Sequence, residues 1–166
     1  MFYWALLYFS FNLGHTVPNF KPIYCQSYKI GFVSNKVEQE LLAAEEVFVI
    51  HSDKIDICPG LKSYEDISEK VGSFLDNLKK KDVFNCLNGW RIETFDIRPA
   101  LGQLPLFAME RSAITLFGFL EYYISINAYV VNEDGSLSVW LQRRALTKSI
   151  DPGKLDSFVS LAGQDT

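Results

Sequence analysis

The sequence predicts an α+β fold, and three observations carry that prediction. Residues 63–80 hold an apolar stripe at helical spacing behind a capping serine. Residues 122–131 alternate apolar and polar, as a strand with one buried face does. The two patterns fall in different stretches without a repeating strand–helix unit, which separates this chain from the parallel α/β class. The text also changes character near Gly118, from mixed helix and strand to antiparallel strands. Three regions follow: an apolar N-terminal segment, 1–19; a mixed domain, 20–118; and the start of a second domain, 119–166.

The stretch 21–34, "KPIYCQSYKIGFVS", is aromatic and β-branched and reads as a hairpin, with Gly31 at a bulge or turn. In "NKVEQELLAAEEVF" Val37, Leu41, Ala44 and Phe48 share one helical face, leaving Glu38, Glu40, Glu45 and Glu46 mostly on the wet side. "VFVIHSDKIDICPG" is extended until Pro59-Gly60 ends it. Ser63 followed by Asp66 opens a helix from about Tyr64 to Lys80, whose buried stripe is Ile67, Val71, Phe74, Leu75 and Leu78. Lys79, Lys80 and Lys81 stand at its C-terminal end, where cations complement the helix dipole. Gly72 is its weak point, at about 1 kcal/mol relative to alanine. "WRIETFDIR" has strand composition, the loop from Pro99 to Pro105 is a connection, and "FAMERSAITLFG" reads as a short helix that Gly118 caps in the left-handed conformation. "YYISINAYVV", the turn "NEDGS" and the return strand "LSVWLQRR" form a hairpin.

Composition bounds the function. With 166 residues, 48% of them hydrophobic, the chain can bury a real core, so disorder is excluded. A net charge of −4 with no like-charge run longer than three lysines excludes a nucleic-acid partner held by charge. Cys25, Cys58 and Cys86 are odd in number and far apart, which fits reduced thiols in a cytoplasmic location rather than a disulfide framework. The nearest approach to a metal-ligand pair is His51 and Cys58, too isolated for a zinc site. The apolar run Phe2–Leu13 is shorter than the roughly 20 residues a spanning helix needs, and no Lys or Arg precedes Lys21. That start reads either as a packed strand or as a targeting or membrane-seeking segment.

Three stretches, "NGWRIETFDIR" (88–98), "FAMERSAITLFG" (107–118) and "VWLQRRALTKSIDPGKLDSFV" (139–159), give the chain a resemblance to one branch of the Nudix hydrolases. Trp140-x-x-Arg143-Arg144, then Lys148, then Pro152-Gly153-x-Leu155-Asp156 is the most specific part. The branch is the fungal and plant type related to thiamine pyrophosphokinase, in which an uncharacterised N-terminal domain precedes the Nudix domain. The resemblance implies that residues 119–166 are the first antiparallel strands of a Nudix-type α/β/α sandwich, incomplete here. It implies Mg²⁺-dependent hydrolysis of thiamine diphosphate or its oxidised derivatives, with a thiamine-phosphate or nucleotide-like diphosphate as the small-molecule partner. A membrane partner is not expected. Independently, hydrolysing a diphosphate requires Mg²⁺ to offset phosphate charge, and Mg²⁺ requires clustered carboxylates. The family supplies these from a Gly-rich loop leading into a Glu-rich helix, the Nudix box, whereas this sequence runs "LAGQDT" and stops. The expectation is therefore a chain truncated before that box, with no catalytic residue and no metal ligand of its own. The family strand Tyr-Gly-Val-His-x-Asn-Gly-Tyr is matched at Tyr122, Asn127 and Tyr129, but both glycines and the histidine are replaced.

Candidate substrate-binding residues are Arg143, Arg144 and Lys148. Guanidinium groups at a strand end can hold a diphosphate bidentately, or simply form ion pairs; strand alternation sends one arginine outward and one inward. Asp151-Pro152-Gly153 reads as a turn. Glu110 and Arg111 are expected to tie their segment to neighbouring strands through Trp90, Arg91 and Glu93. Two functions remain: a Nudix phosphohydrolase fragment that is inactive as given, and a non-catalytic binding or interaction module with a relic Nudix sheet.

Overall fold

The structure is a computed structural model that describes residues 3–7, 19–121, 123–148 and 151–162, with side chains described over 19–121, 126–148 and 151–158. The rest of the N-terminal segment 1–18, Tyr122, residues 149–150 and the terminal 163–166 lie outside the described residues, and so do the expectations placed on them. Helices and strands are both present in several small sheets, an α+β fold. The chain divides into two compact units that meet in sequence at Leu120–Glu121. Strand β1 (Tyr3–Leu7) belongs to the C-terminal unit and is taken up with it.

In the N-terminal unit, β2 (Phe20–Cys25) and β3 (Tyr28–Ser34) form the expected hairpin. Its register shifts by one residue beside Gly31, a bulge. Gly31 has a second reason to be glycine: a Cβ there would lie 2.2 Å from the Phe117 carbonyl oxygen. Helix α1 (Asn35–Leu41) is shorter than the stripe from Val37 to Phe48 predicts. Beyond Leu41 the backbone tightens, Ala43 N–H bonding Glu40 O and Ala44 N–H bonding Leu41 O, and the β-branched run around Phe48 leaves as a strand. Ala44 and Phe48 are buried all the same, on a tight turn and a strand instead of a helix face.

Strands β4 (Phe48–Ile50) and β5 (Ile55–Ile57) are antiparallel, joined by a turn in which His51 N–H bonds Lys54 O. With β5 parallel to β2, the sheet order is β3-β2-β5-β4. Helix α2 (Tyr64–Lys80) has the bounds and the buried stripe read from the sequence, and Ser63 Oγ accepts the Asp66 N–H at its start.

A 3₁₀ turn (Asn85–Gly89) leads to β6 (Thr94–Ile97), which pairs antiparallel with β7 (Phe107–Glu110). Two stretches depart from the elements their sequence predicts. "WRIETFDIR" is a strand only from Thr94, because the Arg91 and Glu93 N–H groups are taken by the Glu110 carboxylate. "FAMERSAITLFG" opens as strand and not helix: Phe107 and Met109 alternate inward against Phe95 and Ile97. Only Arg111–Ala113 (3₁₀) and α3 (Ile114–Phe117) are helical, and Gly118 caps them at φ +55°. Ser68 on α2 donates to Tyr64 O and accepts the Ala108 N–H (2.8 Å), so the helix covers an open edge group of β7.

The core of this unit is closed by a chain of phenylalanine rings. Phe74 of α2 meets Phe48 edge-on at 4.9 Å, Phe48 stacks on Phe117 at 6.1 Å, Phe117 on Phe119 at 5.1 Å, and Phe119 meets Phe107 edge-on at 5.9 Å. These are favoured aromatic geometries, each adding about 0.5–1.5 kcal/mol beyond burial.

The C-terminal unit is built on β8 (Tyr123–Val131). One edge of β8 pairs with β1, Leu6 opposite Ile126; the other pairs with β9 (Leu137–Trp140) and β12 (Val159–Ala162) end to end. The return strand is shorter than "LSVWLQRR": it ends at Trp140, and β10 (Gln142–Arg143) instead pairs with β11 (Leu155–Asp156). Of the described side chains in this unit only Ala128 is a buried hydrophobic, whereas Leu137, Val139, Trp140 and Leu155 are each more than half exposed.

Two substitutions test the core. Gly31→Ala should lower stability by about 1–3 kcal/mol, because the clash is with backbone oxygen, and Phe117→Ala by about 3–5 kcal/mol. Both are read as a fall in the denaturant midpoint at constant m-value.

Candidate functional site

Local sequence brings the predicted arginines to one hairpin end. Asp151 (φ +48°) and Gly153 (φ +73°) turn the chain, Gly153 N–H bonds Arg144 O, and Arg144 N–H bonds Lys154 O. Alternation then leaves Arg143 exposed and Arg144 half-buried. Arg143 Nη1 donates to Gly153 O at 2.7 Å, closing the turn it precedes. Arg144 Nη1 pairs with Asp156 Oδ2 at 2.7 Å. That bond, with the Ser157 N–H, holds the Asp156 carboxyl below its usual range. Lys148 is exposed, and its backbone N–H bonds Ala145 O. The three cations are therefore neighbours along a hairpin and loop, with Arg143 and Arg144 each already making an internal contact.

None of the three cations lines either of two clefts in the N-terminal unit. The larger, about 570 Å³, runs beside α2 between an apolar wall that includes Leu61 and Phe74 and a rim bearing Glu46, Asp66 and Glu69. Glu40 also faces it and pairs with Lys81 at 2.7 Å. The expectation that Glu38, Glu40, Glu45 and Glu46 form one solvated face divides: Glu45 and Glu46 are exposed, while Glu38 and Glu40 are half-buried in ion pairs with Lys21 and Lys81.

The smaller cleft, about 400 Å³, lies between Tyr28, Tyr64 and the loop carrying Leu104 and Pro105. Its wall is fixed by a relay the sequence does not signal, since Tyr64 and Asp96 are distant along the chain. Tyr64 Oη donates to Asp96 Oδ1 (2.7 Å), Arg98 pairs with Asp96 Oδ2 (3.0 Å), and Arg98 Nη1 donates to Gln103 O (2.7 Å). Burial, and next the bond to Asp96, push the Tyr64 phenol up to about 12.

A third cluster surrounds Glu110, a carboxylate only 7% exposed. It accepts N–H groups from Arg91 (3.2 Å), Glu93 (3.2 Å) and Ser112 (3.3 Å). Arg111 N–H bonds Glu93 O, and its guanidinium pairs with the Glu93 carboxylate at 2.7 Å. Two of the three partners expected for this pair, Arg91 and Glu93, are thus in place, and Trp90 is engaged separately by Lys79, 4.5 Å from the ring centroid. Between the two clamped amides Ile92 stands at φ +58°, a conformation that costs a β-branched residue roughly 1–3 kcal/mol. Strand-like composition gives no hint of it.

Burial pushes the Cys25 thiol up to about 12 and raises that of Cys58, so neither is a thiolate at neutral pH. His51 Nε2 lies 2.9 Å from Asp56, which also pairs with Lys54 at 2.8 Å. Among the described residues no three His, Cys, Asp or Glu side chains converge in a way that fits a metal ion, Mg²⁺ included. Nor is any helix there long and apolar enough to cross a membrane.

Comparison with known proteins places the chain in a family. Residues 6–121 match the model described as a domain of unknown function (DUF4743), and the chain belongs to that family. It is 27% identical over 143 residues to Nudix hydrolase 24, chloroplastic, of Arabidopsis thaliana, covering 85% of this chain and 38% of that protein. It is 26% identical over 150 residues to Nudix hydrolase 20, chloroplastic, of the same plant, covering 85% and 39%. An uncharacterized protein of Saccharomyces cerevisiae, YJR142W, is 22% identical over 138 residues, covering 80% and 40%. The chain spans about two fifths of the length of these relatives.

Two measurements check the buried groups. A phenol whose folded pKa exceeds its unfolded value of about 10 keeps its full stabilising contribution below pH 10 and loses it as pH rises toward 12, because the folded state holds the extra proton. Chemical denaturation should therefore show stability falling between about pH 10 and 12, and less steeply in Tyr64→Phe. Glu110→Gln leaves an NH₂ facing backbone donors and should cost about 1–3 kcal/mol, with faster hydrogen exchange at the Arg91 and Glu93 amides.

Proposed function

We propose that this chain is the N-terminal part of a Nudix-type phosphohydrolase, acting in its longer form on thiamine diphosphate or oxidised derivatives of it. The observation that carries the reading is the match, over 85% of the chain, to two proteins named Nudix hydrolases that extend well beyond it. The exposure of Leu137, Val139 and Trp140 on β9 and of Leu155 on β11 supports it as well, since large apolar side chains gain by being covered by further protein. In this reading the chain ends short of a Nudix box and is inactive as given. Mg²⁺ is a requirement of the longer protein, and a reducing cytoplasmic location fits the three free cysteines, although the two plant relatives are named chloroplastic.

The substrate-binding part assigned to this chain is the hairpin of β10 and β11. Arg143, exposed and holding Gly153 O through one nitrogen only, presents its remaining N–H donors to a diphosphate. Arg144 positions the hairpin through Asp156, and Lys148 adds a point charge.

The test is a phosphate-release assay with thiamine diphosphate and Mg²⁺. The chain alone should give no turnover, and the gene's downstream sequence should encode a Glu-rich Nudix box whose addition restores it. In that longer protein Arg143→Gln should raise KM about tenfold or more, the value of one or two charge-assisted hydrogen bonds. Turnover of the longer protein that is unchanged by Arg143→Gln and Lys148→Gln would remove the hairpin from the binding site.

A further inference from the structure

The Trp90–Glu93 turn has features of a presentation device that the proposed hydrolase reading does not use. One carboxylate, Glu110, takes the N–H groups on both sides of Ile92, Arg91 through Oε1 and Glu93 through Oε2. Glu93 is held a second time by Arg111, through both its backbone oxygen and its carboxylate. The clamp forces Ile92 into the left-handed region and leaves it 89% exposed. A surface residue under no constraint would relax to ordinary backbone, or be glycine. Here a nearly buried carboxylate keeps an isoleucine projecting into water, with the exposed Arg91 next to it.

A complementary socket exists on the same unit. The larger cleft offers Leu61 and Phe74 as apolar wall, and on its rim Glu46, Asp66 and Glu69 have no ion-pair partner among the described residues. Lys70 is the one lining cation besides Lys81, which is already paired with Glu40, so the rim keeps an excess of negative charge. Neither Arg91 nor Ile92 lines this cleft, so finger and socket are separate surfaces. We propose that the N-terminal unit self-associates head to tail, Ile92 entering the α2 cleft of a second copy and Arg91 pairing with its carboxylate rim. Such a contact uses two different patches, so it grows into rings or open chains instead of stopping at an isologous dimer.

Sedimentation equilibrium of the full chain from micromolar to millimolar concentration tests this. Wild type should show a mass that rises with concentration and falls with added salt, as a contact steered by charge does. Ile92→Asp and Arg91→Glu should each weaken association at least tenfold with an unchanged circular-dichroism spectrum. The Glu46→Lys/Glu69→Lys double substitution should do the same, and should restore association to Arg91→Glu. A wild-type chain that stays monomeric at millimolar concentration overturns the proposal. Association undiminished in Ile92→Asp also overturns it, as does failure of the reversed cleft to rescue Arg91→Glu.

Discussion

The run of five phenylalanine rings from Phe74 to Phe107 is the constraint on which the N-terminal unit depends. It joins α2, β4, α3 and β7, elements that share no backbone ladder with one another, into one packed layer. Placing Phe117 and Phe119 in that run requires the chain to reverse at Gly118 against β3, and this is why Gly31 can bear no Cβ. Core rings and the two glycines thus form one requirement. The short strands β4 and β5, three residues each, would be marginal without rings anchored beside them.

Where local signals agree, the fold was legible. Ser63, Asp66, an unbroken apolar stripe and a lysine-rich end all point to one helix, and α2 has those bounds. The shorter elements were ambiguous for a physical reason. Val37, Leu41, Ala44 and Phe48 are all buried, yet burial at helical spacing is also produced by about two turns of helix followed by a tight turn and a strand. Phe107 to Glu110 fits either period over four residues; its partner β6, and the Ser68 hydroxyl that caps Ala108, decide for the strand. Such information is tertiary and lies far off in the chain.

The disposition of the candidate arginines was legible to a similar degree. Alternation predicts one arginine outward and one inward, and Arg143 and Arg144 are disposed that way. That Arg143 spends one donor on Gly153 and Arg144 pairs with Asp156 depends on a turn geometry that composition does not encode. Glu110 was recognisable as a tie but not as a triple acceptor. The left-handed Ile92 was invisible, because the cause of its conformation is a side chain 18 positions away.

The double pairing of β8 bears on the order in which the chain is made. β1 emerges first, yet its partner strand follows more than a hundred residues later, after the whole phenylalanine-centred unit. During synthesis an apolar "YWALL" segment must therefore wait, unpaired, while the enclosed unit folds. Contacts of such sequence separation form slowly, and a waiting strand edge is open to wrong partners. The chain consequently has a built-in dependence on the speed of its inner unit: any substitution that delays core closure between α2 and α3 lengthens the time for which the first strand is exposed. Such changes would then be felt in aggregation during synthesis as well as in final stability.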